Sequence, residues 1–205
     1  MAVGIRAETL KIVTDDGELI ADADQLDGLW TKEQYFRLTD NTNWLIEFTD
    51  GKIEVLPMPT DKHQAISQFL NEILRSLMRK LGGVVRYSPL RLQLNEQRYR
   101  EPDLMLLLDR RDSRKQNKQW FGADLVVEIV STDNPERDTI VKRADYAQVG
   151  IPEYWIVNPL NETFTVLQLQ GDEYAEHGVF RRGEAATSPL LADFSIEVGE
   201  LFDAD

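Results

Sequence analysis

Two acidic residues of this chain adjoin or interrupt apolar runs, where a charge is costly unless it has a partner. Glu128 interrupts the aliphatic run of residues 125–130, and Asp103 immediately precedes the run of residues 104–108. Continuous aliphatic runs of this kind are typical of strands that are buried on both faces. Carboxylates at such positions can bind a divalent cation or pair with a lysine. We therefore expect Asp103 and Glu128 to lie side by side on one sheet and to share a cation.

A lysine that could join these acids lies on the next predicted helix. Residues 138–149 have helical spacing, and Gly150 is a typical stop. Asp138, Lys142 and Tyr146 fall at i, i+4 and i+8, so they form one row of the helix. We expect Lys142 to face Glu128, and Asp138 and Tyr146 to position that lysine. The apolar residues available to pack this helix are Ile140, Val141, Ala144 and Ala147.

The ordered string of these motifs resembles a known protein family. The motifs are PD at 102–103, VVEIVS at 126–131, D-x-x-x-K at 138–142 and Y-x-x-x-G-I-x-E-Y-W-I-V at 146–157. Together they resemble the Uma-type family of restriction endonucleases, within the PD-(D/E)xK nuclease superfamily. The similarity covers most of the chain, and it also includes Tyr35, Ile46-Glu47, Asp50-Gly51-Lys52, His63-Gln64 and Gly178 to Phe202.

The chain departs from the superfamily pattern at one position. Two residues after Glu128, where the (D/E)xK motif has a lysine, this chain has Val130. The resemblance itself includes a lysine on the following helix, so Lys142 is the expected replacement.

The resemblance implies a metal-dependent endonuclease that hydrolyses phosphodiester bonds of DNA. Asp103 and Glu128 would hold Mg²⁺, or Mn²⁺, with the backbone carbonyl of Ile129, and Lys142 would orient the attacking water or stabilise the developing negative oxygen. Simpler interpretations remain open. Glu128 could pair with Lys142 without a metal, Asp103 could cap a turn, and Lys142 could be a surface residue.

Three further residues are candidates for accessory roles. His63 and Gln64 begin a long predicted helix that borders the active site in the family's fold, and a histidine there could bind phosphate or tune a metal-bound water. The alternative is a polar group at a helix start. Glu47 lies in an apolar strand, where it could join the acidic cluster or pair across the hairpin with Lys52.

The elements that must position these residues predict a mixed α+β fold. With the resemblance, we expect a restriction-endonuclease-like core that has a mixed central sheet flanked by helices. Residues 31–34 resemble a helix start. Residues 44–56 predict a hairpin around Asp50-Gly51, and apolar spacing over 61–81 predicts an amphipathic helix ended by Gly82. Further strands are expected at 84–87, 90–94, 104–108, 125–130, 154–157, 163–169 and 174–180, with a closing strand or turn at 190–202.

Length and composition predict one domain in the cytoplasm. The 205 residues are 42% hydrophobic and 9% aromatic, which is ordinary for a globular protein. We expect residues 1–28 to be an acidic, loosely packed arm and residues 29–205 to be a single domain. The chain has no cysteine, which excludes disulfides, zinc-thiolate sites and cysteine nucleophiles. No signal segment and no membrane-spanning run is expected.

The net charge of the whole chain argues against nucleic-acid binding, whereas the charge of one segment does not. The net charge is −13, whereas residues 75–118 contain 12 Lys and Arg against 5 Asp and Glu, a net charge of +7. This segment could face phosphates, or it could be a solvated surface.

Other function classes have less support. Signatures of serine hydrolases, P-loop proteins and Rossmann domains are absent. The main competing prediction is a catalytically degenerate nuclease fold that acts as a nucleic-acid-binding or protein-interaction module. We also expect a homodimer, formed partly through an exposed aromatic strand at Tyr154-Trp155.

Overall fold

The structure is a computed structural model that describes residues 11–13, 19–22 and 26–205. The chain forms two compact units, Met1–Leu56 and Pro57–Asp205. Most of the predicted acidic arm, residues 1–28, lies outside the described residues, so its loose packing stays a prediction. Within the described part, no helix is long and apolar enough to cross a membrane.

In its described residues, the first unit contains two antiparallel strand pairs and one α-helix. Strand β1 (Lys11–Val13) pairs with β2 (Leu19–Asp22). Helix α1 (Lys32–Asp40) begins at the predicted capping box, in which Thr31 and Gln34 bond reciprocally. The predicted hairpin is confirmed as β3 (Ile46–Thr49) and β4 (Lys52–Val55). Its turn residues, Asp50 and Gly51, both have positive φ, at 48° and 81°, as the favoured two-residue hairpin turn requires.

The second unit is built on a mixed six-stranded sheet in the order β13-β12-β11-β10-β8-β5. Its central strands β10 (Leu125–Ile129) and β11 (Glu153–Asn158) are parallel, and every other neighbouring pair in this sheet is antiparallel. The remaining strands are β5 (Val84–Tyr87), β8 (Leu104–Leu107), β12 (Thr163–Gln170) and β13 (Glu173–Phe180). The predicted mixed α+β fold is therefore confirmed.

Smaller strands and four α-helices within the described residues complete the fold. Strand β6 (Arg91–Asn95) pairs with β7 (Arg98–Arg100) and with β9 (Gln119–Trp120), and β14 (Ala185–Thr187) pairs with β15 (Ser195–Glu197). The long helix α2 (Asp61–Leu81) ends at Gly82, which has φ 84°, as predicted. A π-helical segment (Arg137–Val141) leads into α3 (Lys142–Gln148), and α4 (Val198–Phe202) follows β15.

Side chains alternate between the two faces of the central sheet. Leu125, Val127 and Ile129 of β10 pack in the apolar cluster that includes Ile66, Leu70 and Leu74 of α2. Val126 and Val130 pack in the opposite cluster, which includes Tyr146 and Ala147 of α3. Because successive residues of a strand point to opposite faces, Glu128 belongs to the face that α3 covers.

Two sequence predictions about buried surface are wrong. Ile140, Val141 and Ala144 were expected to pack the helix, but all three are exposed, whereas Lys142, Asp145 and Tyr146 are buried. The π turn places the polar row against the sheet, where these groups find partners. Tyr154 and Trp155 are fully buried rather than exposed, because β11 lies in the interior of the sheet. The predicted homodimer therefore loses that support.

Candidate active site

The two predicted acids meet at the adjoining ends of β8 and β10. The antiparallel register pairs Leu104 with Val127, so Asp103 and Glu128 occupy the next position on each strand. Asp103 Oδ2 accepts a 2.7 Å hydrogen bond from the backbone N–H of Ile129. That bond fixes the Asp103 carboxylate beside the strand that carries Glu128, as the sequence predicted.

Lys142 reaches the same place from α3, which covers the face of the sheet to which Glu128 belongs. Its Nζ lies 3.1 Å from Glu128 Oε1 and 3.1 Å from Asp138 Oδ1. The Lys142 N–H donates to the carbonyl of Arg137 in a π-helical bond, and such π turns are frequent at functional sites. Lys142 has an exposed fraction of only 3%, so the interpretation of this lysine as a surface residue is wrong.

Tyr146 acts on the acid and not on the lysine. Its hydroxyl donates to Glu128 Oε1 at 2.5 Å, so one carboxylate oxygen accepts from both Tyr146 and Lys142. The prediction that Asp138 positions the lysine agrees with their contact, whereas Tyr146 positions Glu128. Lys142 and Tyr146 of this helical row therefore contact Glu128, whereas Asp138 contacts Lys142.

Tyr154 is a site residue that sequence reasoning missed. Its hydroxyl donates to the backbone carbonyl of Asp138 at 2.8 Å and ties the π segment to β11. Burial and the nearby negative charges of Glu128 and Asp138 raise the pKa of Tyr154 well above its ordinary value. The signal available in the sequence was a polar hydroxyl within an apolar strand, although we expected that ring to be exposed.

His63 joins the cluster through Asp103. His63 Nε2 lies 3.2 Å from Asp103 Oδ1, and Nδ1 is buried without a hydrogen-bond partner in the described chain. Burial of the ring lowers the pKa of His63, but the hydrogen bond and the charge of Asp103 outweigh burial and raise it above 6.5. The imidazole thus favours the positive charge and, by geometry, occupies one oxygen of Asp103.

The other two accessory candidates are Gln64 and Glu47. The Gln64 side chain is exposed and makes no hydrogen bond within the described residues. Glu47 is buried in the first unit, on β3, directly across from Glu54. Lys52 instead pairs with Asp27 at 2.8 Å, so the alternative of a Glu47–Lys52 pair is wrong. A role for Glu47 or Gln64 in the site stays a prediction.

A second ionic cluster pairs two arginines with an acid of α3. Asp145 of α3 accepts from Arg98 Nη1 at 2.6 Å and from Arg100 Nε at 3.1 Å, and a second nitrogen of Arg100 also contacts it. All three residues lie mostly or fully out of solvent. Sequence reasoning counted both arginines among the basic residues that could face phosphates, but here they anchor α3.

The donor chemistry of the cluster fits the ion that the resemblance implies. Over the described residues, no three His, Cys, Asp or Glu side chains gather to hold a metal ion. Mg²⁺ does not need such a cage, since proteins usually bind it through one or two carboxylates and leave water in the other positions. Asp103 and Glu128 supply those two carboxylates. Asp138 is a neighbouring acid that contacts Lys142; burial raises its pKa, although Lys142 opposes the shift.

Comparison with known proteins decides the family. Residues 32–199 match the profile of the Uma2 family, which is described as "Putative restriction endonuclease". The chain belongs to the Uma2 family. The resemblance predicted from the sequence motifs is thereby confirmed, and the matched region contains Asp103, Glu128 and Lys142.

A solved structure supports the fold of this Uma2 protein. A crystal structure described as "a putative nuclease belonging to DUF820", from Anabaena variabilis ATCC 29413, superposes with a TM-score of 0.69. The two sequences are 22% identical, and the alignment covers 84% of this chain and 97% of the other. A search of curated proteins found no match.

Proposed function

We propose that this Uma2 protein is a metal-dependent endonuclease that hydrolyses phosphodiester bonds of DNA. The single observation that carries the proposal is the convergence of Asp103, Glu128 and Lys142, which come from two strands and a separate helix. Nothing in the folding of a mixed sheet requires two strand-end acids and a buried lysine at one point. A metal-dependent nuclease site uses both parts of this combination, since the carboxylates can bind a divalent ion and the lysine can stabilise the developing negative charge.

Bound by Asp103 and Glu128, with the carbonyl of Ile129, Mg²⁺ would supply an acidified water and neutralise charge on the phosphate. The protein side chains hold this arrangement in place. Lys142 compensates the charge of the buried Glu128 carboxylate, and it provides a positive charge near the oxygen on which negative charge develops. Tyr146 fixes the rotation of the Glu128 carboxylate, and Asp138 fixes the position of the Lys142 amino group.

Solvent exposure defines the side from which a phosphate can approach. Glu128, Lys142 and Asp138 are almost fully buried, whereas the side chains of Asp103 and His63 are 17% and 16% exposed. The substrate therefore enters past Asp103 and His63. Nδ1 of His63, which has no hydrogen-bond partner in the described chain, would donate to a water or to a phosphate oxygen there.

The same burial favours a second candidate function. Lys142 already neutralises Glu128 in a closed cluster, and Val130 stands at the position of the motif lysine. Both features would suit a degenerate nuclease fold. Such a protein would act as a nucleic-acid-binding or protein-interaction module. Metal binding distinguishes the two functions.

Titration calorimetry with Mg²⁺ and Mn²⁺ provides the test. We expect the wild type to bind the ion and Glu128→Gln to abolish binding, because the change removes the charge and keeps the size. Lys142→Ala should bind the metal as well as the wild type or more tightly, since a competing cation is removed. Glu176→Gln, an exposed acid on β13, is the matched control and should change nothing.

A plasmid-nicking assay on the same variants completes the test. Glu128→Gln and Lys142→Ala should each lower the nicking rate by at least about a hundredfold, while Glu176→Gln should nick like the wild type. Melting temperatures show whether each variant is folded. If the wild type binds no divalent ion, and both site substitutions only change the melting temperature, Glu128 and Lys142 are a structural ion pair. The endonuclease proposal is then wrong, and the module takes its place.

A further inference from the structure

A basic cleft lies in the second unit, between the C-terminal half of α2 and the edge strand β5. Its volume is about 620 Å³, and no Asp or Glu is among its lining residues. The polar and aromatic side chains of its lining include Asn71, Arg75, Arg79, Arg86, Tyr87 and Ser88. Asn71, Arg75 and Arg79 recur at every fourth residue, so they follow one side of the helix. The cleft therefore presents three arginines and no opposing acid.

The three arginines of the cleft lack carboxylate partners. Arg75, Arg79 and Arg86 are exposed and form no ion pair over residues 26–205, although Arg86 bonds the carbonyl of Val85. Elsewhere in this acidic protein, several arginines are paired with carboxylates, including Arg98, Arg100, Arg114, Arg137 and Arg182. Unpaired guanidinium groups around one concave surface indicate an anionic ligand.

Tyr87 adds an aromatic surface at the end of the cleft nearest the candidate active site. Its side chain is 59% exposed, although β5 pairs with the fully buried strand β8. Tyr87 pairs in register with Leu104, and the N–H of Ser88 donates to the carbonyl of Asp103 at 3.0 Å. The cleft therefore leads along β5 to the residue that we propose as a metal ligand.

We propose that this cleft binds the sugar-phosphate backbone of a single-stranded nucleic-acid segment and directs that strand to Asp103. The arginines contact successive phosphates, and the ring of Tyr87 stacks on an unpaired base. The identity of the ligand rests on the proposed endonuclease function, since the cleft ends beside that site. Residues 84–88 extend over about 16 Å, which corresponds to about four or five stacked nucleotides at 3.4 Å each.

The test measures binding of a fluorescein-labelled single-stranded DNA of about 16 nucleotides by anisotropy. EDTA prevents cleavage during the measurement. The variant Arg75→Gln/Arg79→Gln/Arg86→Gln removes three charges from exposed positions, and its matched control is Lys80→Gln/Arg111→Gln/Arg181→Gln, which removes three exposed charges outside the cleft lining. Both variants change the net charge equally, so non-specific repulsion affects them alike.

We expect the cleft variant to bind at least about tenfold more weakly than the wild type at low salt. The slope of log affinity against log salt should become shallower by about 2, because each phosphate contact on a single strand contributes about 0.7. The control variant should retain the affinity and the slope of the wild type. Equal losses in the two variants would contradict the proposal.

Tyr87→Ala provides an independent measurement. Loss of base stacking should weaken binding of single-stranded DNA by at least about fivefold. The salt slope should not change, since stacking displaces no counterion. A duplex of the same sequence should lose little affinity in this variant, because its bases are already stacked. An unchanged affinity for the single strand would remove the stacking role.

The DNA-binding, metal-binding and nicking experiments together distinguish this proposal from the endonuclease proposal. If the wild type nicks DNA through Glu128 but the cleft variant binds and cuts like the wild type, only the cleft proposal is wrong. If the cleft variant loses DNA binding while the wild type binds no metal and cuts nothing, only the endonuclease proposal is wrong. A wild type that binds no nucleic acid contradicts the cleft proposal.

Two further ligands test the identity of the molecule that the cleft binds. An RNA oligonucleotide tests which sugar is preferred. Competition by oligoglutamate equal to that by DNA would indicate an acidic peptide instead.

Discussion

At the scale of residues, Glu128 is the centre of the site because two side chains of α3, Lys142 and Tyr146, contact its carboxylate. Sequence reasoning predicted the pairing with Lys142, since a buried acid and a helical lysine one turn from the helix start have few other partners. It did not predict that Tyr146 contacts Glu128, because a phenol on the same row could reach either charge. Nor could it predict Tyr154, whose role depends on the path of the π segment across the sheet.

The His63–Asp103 pair makes the stability of the metal-free protein depend on pH. The pKa of His63 is raised above 6.5 in the folded state, so folding favours the protonated ring. The resulting stabilisation is complete below about pH 6.5 and is lost as the pH rises through the folded pKa. We predict that, in EDTA, the free energy of unfolding decreases as the pH rises above 6.5.

Substitution of His63 checks this prediction. Urea unfolding at a series of pH values should show that His63→Gln lacks this decrease. His177→Gln, which changes the other of the two histidines and leaves the His63–Asp103 pair intact, should retain it. A decrease of the same size in His63→Gln would show that other groups cause it.

At the scale of elements, local sequence signals predicted most helix and strand positions. The capping box at Thr31, the Asp50-Gly51 turn and Gly82 set boundaries through chemistry within a few residues, and these predictions are confirmed. The packing of residues 138–148 could not be predicted from helical spacing, because the π turn rotates the polar row toward the sheet. The carboxylate that Lys142 and Tyr146 contact, that of Glu128, lies outside the helix on the preceding strand.

The hairpin turn offers a prediction about close backbone approach. A Cβ atom on Gly51 would lie 2.4 Å from the carbonyl oxygen of Gly28, and Gly51 has φ 81°. Gly28 has φ 78°, but a Cβ there would meet nothing within 4 Å. Gly28→Ala should therefore cost about 1 kcal/mol from backbone strain alone. Gly51→Ala should cost clearly more, because the backbone of residue 28 must also move.

Chemical denaturation of both glycine variants measures the difference. The two substitutions make the same chemical change at nearly the same φ in the same unit, so strain cancels in the comparison. If Gly51→Ala and Gly28→Ala lower the free energy of unfolding equally, the close approach at residue 28 has no energetic consequence.

At the scale of the whole molecule, the distribution of charge is more informative than its total. A net charge of −13 gave an argument against nucleic acid, whereas the +7 of residues 75–118 left a phosphate-binding surface open. The structure divides that segment further, because Arg98 and Arg100 are engaged by Asp145. Arg75, Arg79 and Arg86 line one cleft. Charge counts along a sequence could not separate these two groups, since pairing depends on the fold.

The order of strands in the central sheet also lay beyond sequence reasoning. Buried runs predicted that strands exist at 104–108 and 125–130, and the motifs implied that their acids meet. The position of β5 at the edge follows from its antiparallel pairing with β8, which joins residues that are distant in sequence. That position places the cleft next to Asp103.

The bond from the Ile129 N–H to Asp103 Oδ2 makes one backbone amide a spectroscopic reporter of the site. The amide proton lies in the field of a carboxylate whose charge and partners would change on metal binding. In a two-dimensional ¹H–¹⁵N spectrum, the Ile129 resonance should move during a Mg²⁺ titration, and in Asp103→Asn it should start from a different position and stay there. Occupancy of the site could then be followed without any substrate.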